Sequence, residues 1–251
     1  MKTSLLAASL VGLLFASPSL AMPANLSGVR DLVEKGRTQA ALQELVALTE
    51  KDREDHEAWA LLGEVRLGVK DLDGAEAAIS NAIDLVEAQK KEAPDAENLD
   101  RLGAAYWLLL GRVSFDRGEA AYIGRASGSE IKSWYADSEM KFKEALKLDP
   151  KNPEALWRIG WAKEWQEYPG KAKEYYRKQI AEFPKDPAGY RRLGAMLSTE
   201  ANGTGTGVSE DAKKIRKEAR DLFAEGQKKA GPDGETLYLK RLALEWNRKP
   251  G

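Results

Sequence analysis

The sequence repeats one pattern of large and small residues at a spacing of about 34 positions, and a repeat of that length strongly limits the folds open to the chain. The pattern is clearest over residues 56–85, where Trp59 precedes Leu62 and Gly63 and a Gly-containing turn leads to Ala75. Small residues let two helices approach closely, and large residues fill the space between them. We therefore predict that each repeat forms two short helices packed antiparallel.

Four more copies surround this one, and their second helices show the register most clearly. Three positions of the second helix identify each copy, and in the first copy each of them lies 34 residues before its equivalent in the second copy. The glycine of the first helix also recurs, as Gly103, Gly160 and Gly194 in the third, fourth and fifth copies. Because the pattern recurs, an array is predicted rather than one isolated helix pair. In chain order the three positions hold Ala41, Leu45 and Leu48; Ala75, Ile79 and Ala82; Ser138, Phe142 and Ala145; Ala172, Tyr176 and Gln179; and Ala219, Phe223 and Gly226.

The third and fifth copies are longer than the others. In the third copy 35 positions separate Gly103 from Ser138, whereas the second copy uses 12 between the equivalent residues, so about 23 residues are added. In the fifth copy 25 positions separate Gly194 from Ala219, so about 13 residues are added there. We expect two insertions between paired helices, at residues 117–135 and 199–211.

Both insertions contain residues that interrupt a helical pattern. Three glycines within residues 117–129 break the first, and Ser129 is predicted to cap a helix that runs through Leu148. The second contains the Gly/Thr-rich stretch 203–207, after which Ser209 is predicted to cap the next helix.

The signature of Trp59, Leu62 and Gly63, followed by the small residues of the second helix, resembles the tetratricopeptide repeat (TPR). This resemblance implies an all-α, right-handed α-solenoid of about five helix-turn-helix repeats with the two insertions. It also implies one solenoid domain over residues 22–251, closed by a C-terminal capping helix at 234–247. In the family the first helix of each pair lines a concave groove, so partner-binding residues are expected there.

Residues 1–21 have the features of a cleavable signal peptide. Lys2 supplies a positive start, residues 5–15 are apolar, and Ser19 and Ala21 form a small-x-small cleavage site. The apolar run is shorter than the roughly 20 residues that a membrane span needs, so no integral span is expected after cleavage. A bacterial periplasmic location is predicted, with eukaryotic secretion as the alternative.

Composition argues against several function classes. Lys and Arg total 39 against 40 for Asp and Glu, so no basic excess favours nucleic acid. One histidine and no cysteine argue against a Ser-His-Asp nucleophile and against a His/Cys zinc site. His56 is interpreted as an ordinary residue at a helix start, and residues 71–74 as a repeat turn, because a calcium loop would need an acidic residue at Ser80. We expect no enzyme activity, no cofactor and no metal site.

The fourth copy carries the most conspicuous candidate surface. Trp157, Trp161 and Trp165 are spaced by four residues, which drifts only about 40° per step around a helix and makes one stripe. Trp and Arg are enriched in binding hot spots because they bury large areas and form planar hydrogen bonds. Counting from the packing positions of each first helix, the candidate groove residues are Arg101, Trp107, Trp157, Arg158, Trp161, Trp165, Arg191 and Arg192.

Two arrangements of this stripe remain open. Either the tryptophans face a partner, or residues of the 117–135 insertion cover them as intramolecular core, namely Tyr122, Ile123, Trp134 and Tyr135. Peptide-binding members of the family hold a C-terminal carboxylate with Lys and Asn at set groove positions, which here are Trp157, Trp161, Arg191 and Ala195, so that mode is not expected. The arginines remain suited to an acidic peptide or an anionic group.

Two functions follow. The first is a non-enzymatic periplasmic scaffold that binds a protein or peptide segment in its groove, in cell-envelope assembly or secretion. The alternative is an accessory protein with a Trp/Arg-lined pocket for a small amphipathic or anionic molecule or a glycan.

Overall fold

The computed structural model describes residues 24–94, 96, 98–203 and 209–230, and over these residues the chain forms ten α-helices and no strand. The predicted signal peptide (1–21), residues 204–208 of the second insertion and the predicted capping helix (234–247) lie outside the described residues. The helices are α1 (Ala24–Glu34), α2 (Thr38–Lys51), α3 (His56–Gly68), α4 (Leu72–Glu92), α5 (Leu99–Ile123), α6 (Gly128–Leu148), α7 (Pro153–Trp165), α8 (Pro169–Glu182), α9 (Pro187–Gly203) and α10 (Glu210–Ala230).

The described helices form two compact units. Unit 1 extends to Ala120 and contains α1 to α4 with most of α5, and unit 2 begins at Ala121 and contains the last turn of α5 with α6 to α10. The single solenoid domain expected for residues 22–251 stays a prediction. None of the described helices has the length and apolar character required to cross a membrane.

In unit 1 the predicted small-to-large contact between paired helices is present. A Cβ added to Gly63 of α3 would lie 2.4 Å from Cγ1 of Ile79 on α4, so the glycine is required by the close approach of the two helices. Ala75, Ile79 and Ala82 are fully buried, as the repeat pattern predicts. Apolar side chains from α3, α4 and α5 complete this core, including Tyr106 and Val113.

Unit 2 repeats the same contact twice. A Cβ on Gly160 of α7 would lie 2.6 Å from the ring of Tyr176 on α8, and one on Gly194 of α9 would lie 2.4 Å from Phe223 on α10. Ala172 is fully buried at the position equivalent to Ala75. The sequence register therefore identified the packed residues correctly in both units.

One backbone turn recurs between consecutive helices. At Gly36, Lys70, Arg125 and Glu167 the chain adopts a positive φ of 58–72°. At each turn this residue's N–H bonds to the carbonyl three positions back, and the next N–H bonds to the carbonyl five positions back, which is the Schellman arrangement. The turn therefore ends α1, α3, α5 and α7 in the same way.

The break in helical structure expected over residues 117–129 is confined to residues 124–127. α5 continues for 20 residues past Gly103, whereas α3 continues for only five past the equivalent Gly63. α6 begins ten residues before Ser138. The added residues lengthen two helices and leave the Schellman turn at Arg125 in place. Helix formers in residues 119–121 and tertiary packing of the buried Gly118 outweigh the low helix propensity of glycine.

Helix boundaries near the insertions were only partly predicted. The cap of α6 is Ser127, not Ser129, because the Ser127 hydroxyl accepts the N–H of Glu130 at 3.2 Å. Residues 199–203 of the second insertion are helical. Ser209 is confirmed as a cap, since its hydroxyl accepts the N–H of Ala212 at 3.1 Å.

Candidate functional site

The predicted tryptophan stripe lies on α7, in unit 2. This helix begins at Pro153, where a missing N–H costs nothing, and the Asn152 side chain accepts the N–H of Ala155. Trp157, Trp161 and Trp165 are all half-buried, yet each has a different environment.

Trp157 lies at the edge of the unit 2 core. It packs against a buried cluster that includes Tyr176 and Leu193. On its other side the guanidinium carbon of Arg158 lies 4.6 Å from the Trp157 ring centroid and 5.9 Å from that of Phe142 on α6. Trp157 therefore contacts core residues of α8 and α9 as well as a guanidinium group of its own helix.

Arg158, which was predicted to bind a partner in the groove, is almost completely buried. Only 7% of the residue is exposed, and its Nε donates to Oε1 of Glu154 at 2.6 Å, one helical turn earlier. Because so little of it is exposed, Arg158 offers a partner little surface.

Arg192 of α9 reaches across to α7 and stacks on the tryptophans. Its guanidinium carbon lies 3.6 Å from the centroid of Trp161 and 5.8 Å from that of Trp157. The two indoles are 5.8 Å apart and tilted by 30°. A guanidinium over an indole face is attracted by the negative face of the ring. Trp157, Trp161 and Arg192 therefore form one continuous surface, which we call the Trp–Arg face.

Trp165 belongs to a different aromatic cluster. Its ring stacks on Tyr135 of α6, with centroids 5.0 Å apart and planes within 9°. Tyr122, at the end of α5, meets the same indole edge-on at 5.0 Å. The lengthened third copy therefore contacts the end of the stripe. Ile123, which was expected to pack on the stripe as well, is 79% exposed.

A carboxylate lies close to the Trp–Arg face. Glu164 on α7 accepts a hydrogen bond from the hydroxyl of Tyr176 on α8. Burial raises the pKa of Glu164, while the hydrogen bond from Tyr176 and the charge of Arg192 lower it. Burial and the charge of Glu164 both raise the pKa of Tyr176, so the tyrosine stays protonated and donates to the carboxylate.

Sequence reasoning missed a buried ionic network between α6 and α7. Glu139 is paired with Lys143 at 2.7 Å and with Lys163 at 2.6 Å, and it accepts from the Gln166 amide at 2.9 Å. Burial raises the pKa of Glu139, but these three hydrogen bonds bring it below its ordinary value. The i,i+4 spacing of Glu139 and Lys143 is the part visible in the sequence.

The remaining candidate residues have the following positions. Arg191 of α9 is half-buried, and its charge lowers the pKa of Asp186, which burial raises. Arg101 and Trp107 lie on α5 in unit 1, where Trp107 packs against the apolar core. Within the described residues no cluster of His, Asp or Glu side chains suits a metal ion.

His56 begins α3 in unit 1 and makes a long-range contact. Its Nδ1 lies 2.9 Å from the hydroxyl of Tyr106 on α5. Burial lowers the pKa of His56, while the charges of Glu57 and Asp55 raise it. This contact joins α3 and α5 within unit 1.

No protein-family model and no curated protein matches this sequence. Solved structures do resemble it. TTC0263, a thermophilic TPR protein of Thermus thermophilus, has a TM-score of 0.54 and 15% identity over 88% of this chain and 96% of its own. PilW, a type IV pilus biogenesis factor, has a TM-score of 0.55 and 16% identity over 88% of this chain and 84% of its own.

A third neighbour is YrrB, a TPR protein with an unusual peptide-binding site, with a TM-score of 0.51 and 15% identity over 86% of this chain and 90% of its own. At these identities the likeness concerns the fold. Together with the repeat register, the close-approach glycines and the recurring turn, it shows that this chain has the helical-solenoid fold of the tetratricopeptide-repeat proteins.

Proposed function

We propose that this protein is a non-enzymatic periplasmic scaffold that binds a segment of a protein partner on the Trp–Arg face of α7 and α9. The observation that supports this most is the pairing of two half-buried indoles with a stacked guanidinium from the next repeat. Trp and Arg are the side chains most often found at the energetic centre of protein interfaces.

The pre-formed geometry of the face favours binding over a purely structural role. Trp157 is fixed by Arg158, and Trp161 by Arg192, so little rotamer freedom remains to be lost when a partner docks. Ala195 is exposed one turn beyond Arg192 on the same helix. A segment laid along α9 would contact these groups together.

Two further points support the assignment of class and location. Among proteins with the same fold, YrrB has a peptide-binding site and PilW acts in pilus biogenesis, which is compatible with a role for this chain in envelope assembly or secretion. Residues 1–21 start with a positive charge, continue with an apolar run and end with a small-x-small cleavage site, and this order supports export.

The test is site-specific photo-crosslinking in the native host. A photoreactive amino acid replaces Ala195 on α9, and a matched variant carries it at Ala181, an exposed alanine of α8. We expect a discrete protein adduct from position 195 that is absent at position 181 and is lost when Trp161→Ala is introduced. The same adducts at both positions, or adducts unaffected by Trp161→Ala, would contradict binding at this face.

A further inference from the structure

Three helices of unit 2 contribute to an alternating series of aromatic rings and guanidinium groups. The guanidinium–ring separations along it are 5.9, 4.6, 5.8 and 3.6 Å. Each of the two guanidinium groups lies near two rings, and Trp157 lies between them. In order, the members are Phe142, Arg158, Trp157, Arg192 and Trp161.

The two arginines of this series occupy different environments. Arg158 is 7% exposed and is paired with Glu154 of its own helix. Arg192 is half-buried and comes from α9, on the repeat after α7. Arg192 is therefore the less deeply buried of the two arginines.

A stacked guanidinium can still bind a ligand through its edge, because its five N–H donors all lie in the plane of the group and can serve several acceptors at once. At 3.6 Å from the Trp161 centroid, the Arg192 guanidinium is held against the indole and loses little freedom on binding. A planar fork of donors in a fixed position matches the two oxygens of a carboxylate.

The charge of Arg192 already acts on a carboxylate of the protein itself. Burial raises the pKa of Glu164, and the hydrogen bond from Tyr176 and the charge of Arg192 offset only part of this rise. A carboxylate supplied by a ligand would be attracted by the same positive charge. The half-exposed indoles beside it suit an apolar side chain.

We propose that the segment bound at the Trp–Arg face carries a carboxylate that accepts hydrogen bonds from Arg192, next to an apolar side chain that packs on Trp157 and Trp161. This inference rests on the proposed function and specifies its ligand as an acidic peptide. The carboxylate is that of an Asp or Glu side chain within the segment, since the positions that hold a C-terminal carboxylate in peptide-binding TPR proteins are Trp157, Trp161, Arg191 and Ala195 here.

Selection from random 12-residue peptides against the full chain tests this proposal. One library is displayed with its C-terminus fused, so that only side chains supply carboxylates, and a second is displayed with a free C-terminus. We expect the peptides selected from both libraries to contain an Asp or Glu next to an apolar residue. Binders that come from the second library alone and depend on their C-terminal carboxylate would contradict a side-chain carboxylate.

Binding of the selected peptides is then measured by fluorescence polarisation. Arg192→Glu should weaken binding about tenfold or more, and Arg192→Lys should weaken it several-fold, since lysine keeps the charge but lacks the planar fork. The matched control Arg177→Glu, an equal charge change on the exposed surface of α8, should change affinity less than about twofold. Replacing the peptide carboxylate by an amide should weaken binding to the wild type but not to Arg192→Gln.

The outcomes separate this inference from the proposed function. Selected peptides that lack a carboxylate and bind Arg192→Glu normally, but are lost with Trp161→Ala, overturn the acidic ligand and leave peptide binding at the face intact. If no peptide is selected, or if the peptides bind Trp161→Ala as well as wild type, both proposals fail. Thermal melting of each variant verifies folding, and Arg192→Lys provides the comparison if Arg192→Glu does not fold.

Discussion

The guanidinium carbon of Arg192 lies 3.6 Å from the centroid of the Trp161 ring, joining α9 to α7 through a cation–π contact. Such a contact contributes about 0.5–2 kcal/mol, depending on how far it is desolvated. Trp161 is half-buried, so this contact is only partly desolvated. Three residues later the same helix has a carboxylate, Glu164, whose partner is the Tyr176 hydroxyl.

Trp161→Ala should lower the free energy of unfolding by about 1–2 kcal/mol, less than the 3–5 kcal/mol typical of a fully buried aromatic residue. Trp165→Ala should cost more, because Trp165 is stacked on the fully buried Tyr135 and meets Tyr122. Urea unfolding of both variants measures the difference. A cost of about 3–5 kcal/mol for Trp161→Ala would show that this indole is core and not a binding surface.

Gly160→Ala should destabilise unit 2 by about 1–3 kcal/mol, because the new methyl group would lie 2.6 Å from the Tyr176 ring and force it to move. Gly170→Ala is the matched control, since nothing lies within 4 Å of the added Cβ at the start of α8. That substitution should be neutral or stabilise by up to about 1 kcal/mol through the unfolded state. Equal melting temperatures for the two variants would argue against the helix contact assigned to Gly160.

Arg125→Gly should stabilise the protein by about 0.5–1 kcal/mol. Arg125 has a φ of 58°, a conformation that costs a side-chain-bearing residue roughly 1–2 kcal/mol, and glycine adopts it without strain. Arg125→Ala keeps the strain and removes the charge, so it should change stability little. Chemical denaturation compares the two variants, and a gain for alanine equal to that for glycine would assign the effect to charge instead of backbone conformation.

The stability of unit 1 should decrease as the pH falls from about 7 to 5, and His56 should account for part of this dependence. Because burial lowers the pKa of His56, the unfolded chain takes up a proton there at higher pH than the folded chain does. The stabilisation is therefore present above the ordinary histidine pKa of about 6.5 and is lost on acidification below it. Urea unfolding across this range should show a weaker pH dependence for His56→Gln than for the wild type.

The wild type and His56→Gln have all other titrating groups in common, so the difference between their curves of stability against pH reports on position 56. Superimposable pH profiles for His56→Gln and the wild type would contradict the prediction. They would mean that the contact with Tyr106 does not depend on the protonation state of the histidine.

The mature protein should begin at Met22 if residues 1–21 are removed during export. N-terminal sequencing of protein from a periplasmic fraction measures this directly. Ala21→Pro should block processing, because the cleavage site requires a small residue there, and should leave a longer precursor. An unchanged N-terminus at residue 1 together with recovery from the cytoplasm would contradict both the signal peptide and the periplasmic location.

Several elements of the fold were determined by the sequence itself. The 34-residue register placed Gly63 against Ile79 and Gly160 against Tyr176, because close helix approach demands a small residue at a fixed distance from a large one. The cap at Ser209 was likewise readable, because it depends on a few neighbouring residues. The breaks expected within residues 117–135 were read from glycine content, and the packed helices α5 and α6 continue through most of them.

What only the tertiary structure decided is the environment of each side chain on the stripe. The spacing of Trp157, Trp161 and Trp165 put them on one side of α7, but α6 and α5 supply the tyrosines at Trp165, and α9 supplies the guanidinium at Trp161. Contacts of this kind join residues far apart in the chain, so no local pattern encodes them. The same holds for the burial of Arg158 and for the pairing of Glu139 with Lys163, which depend on how neighbouring helices exclude water.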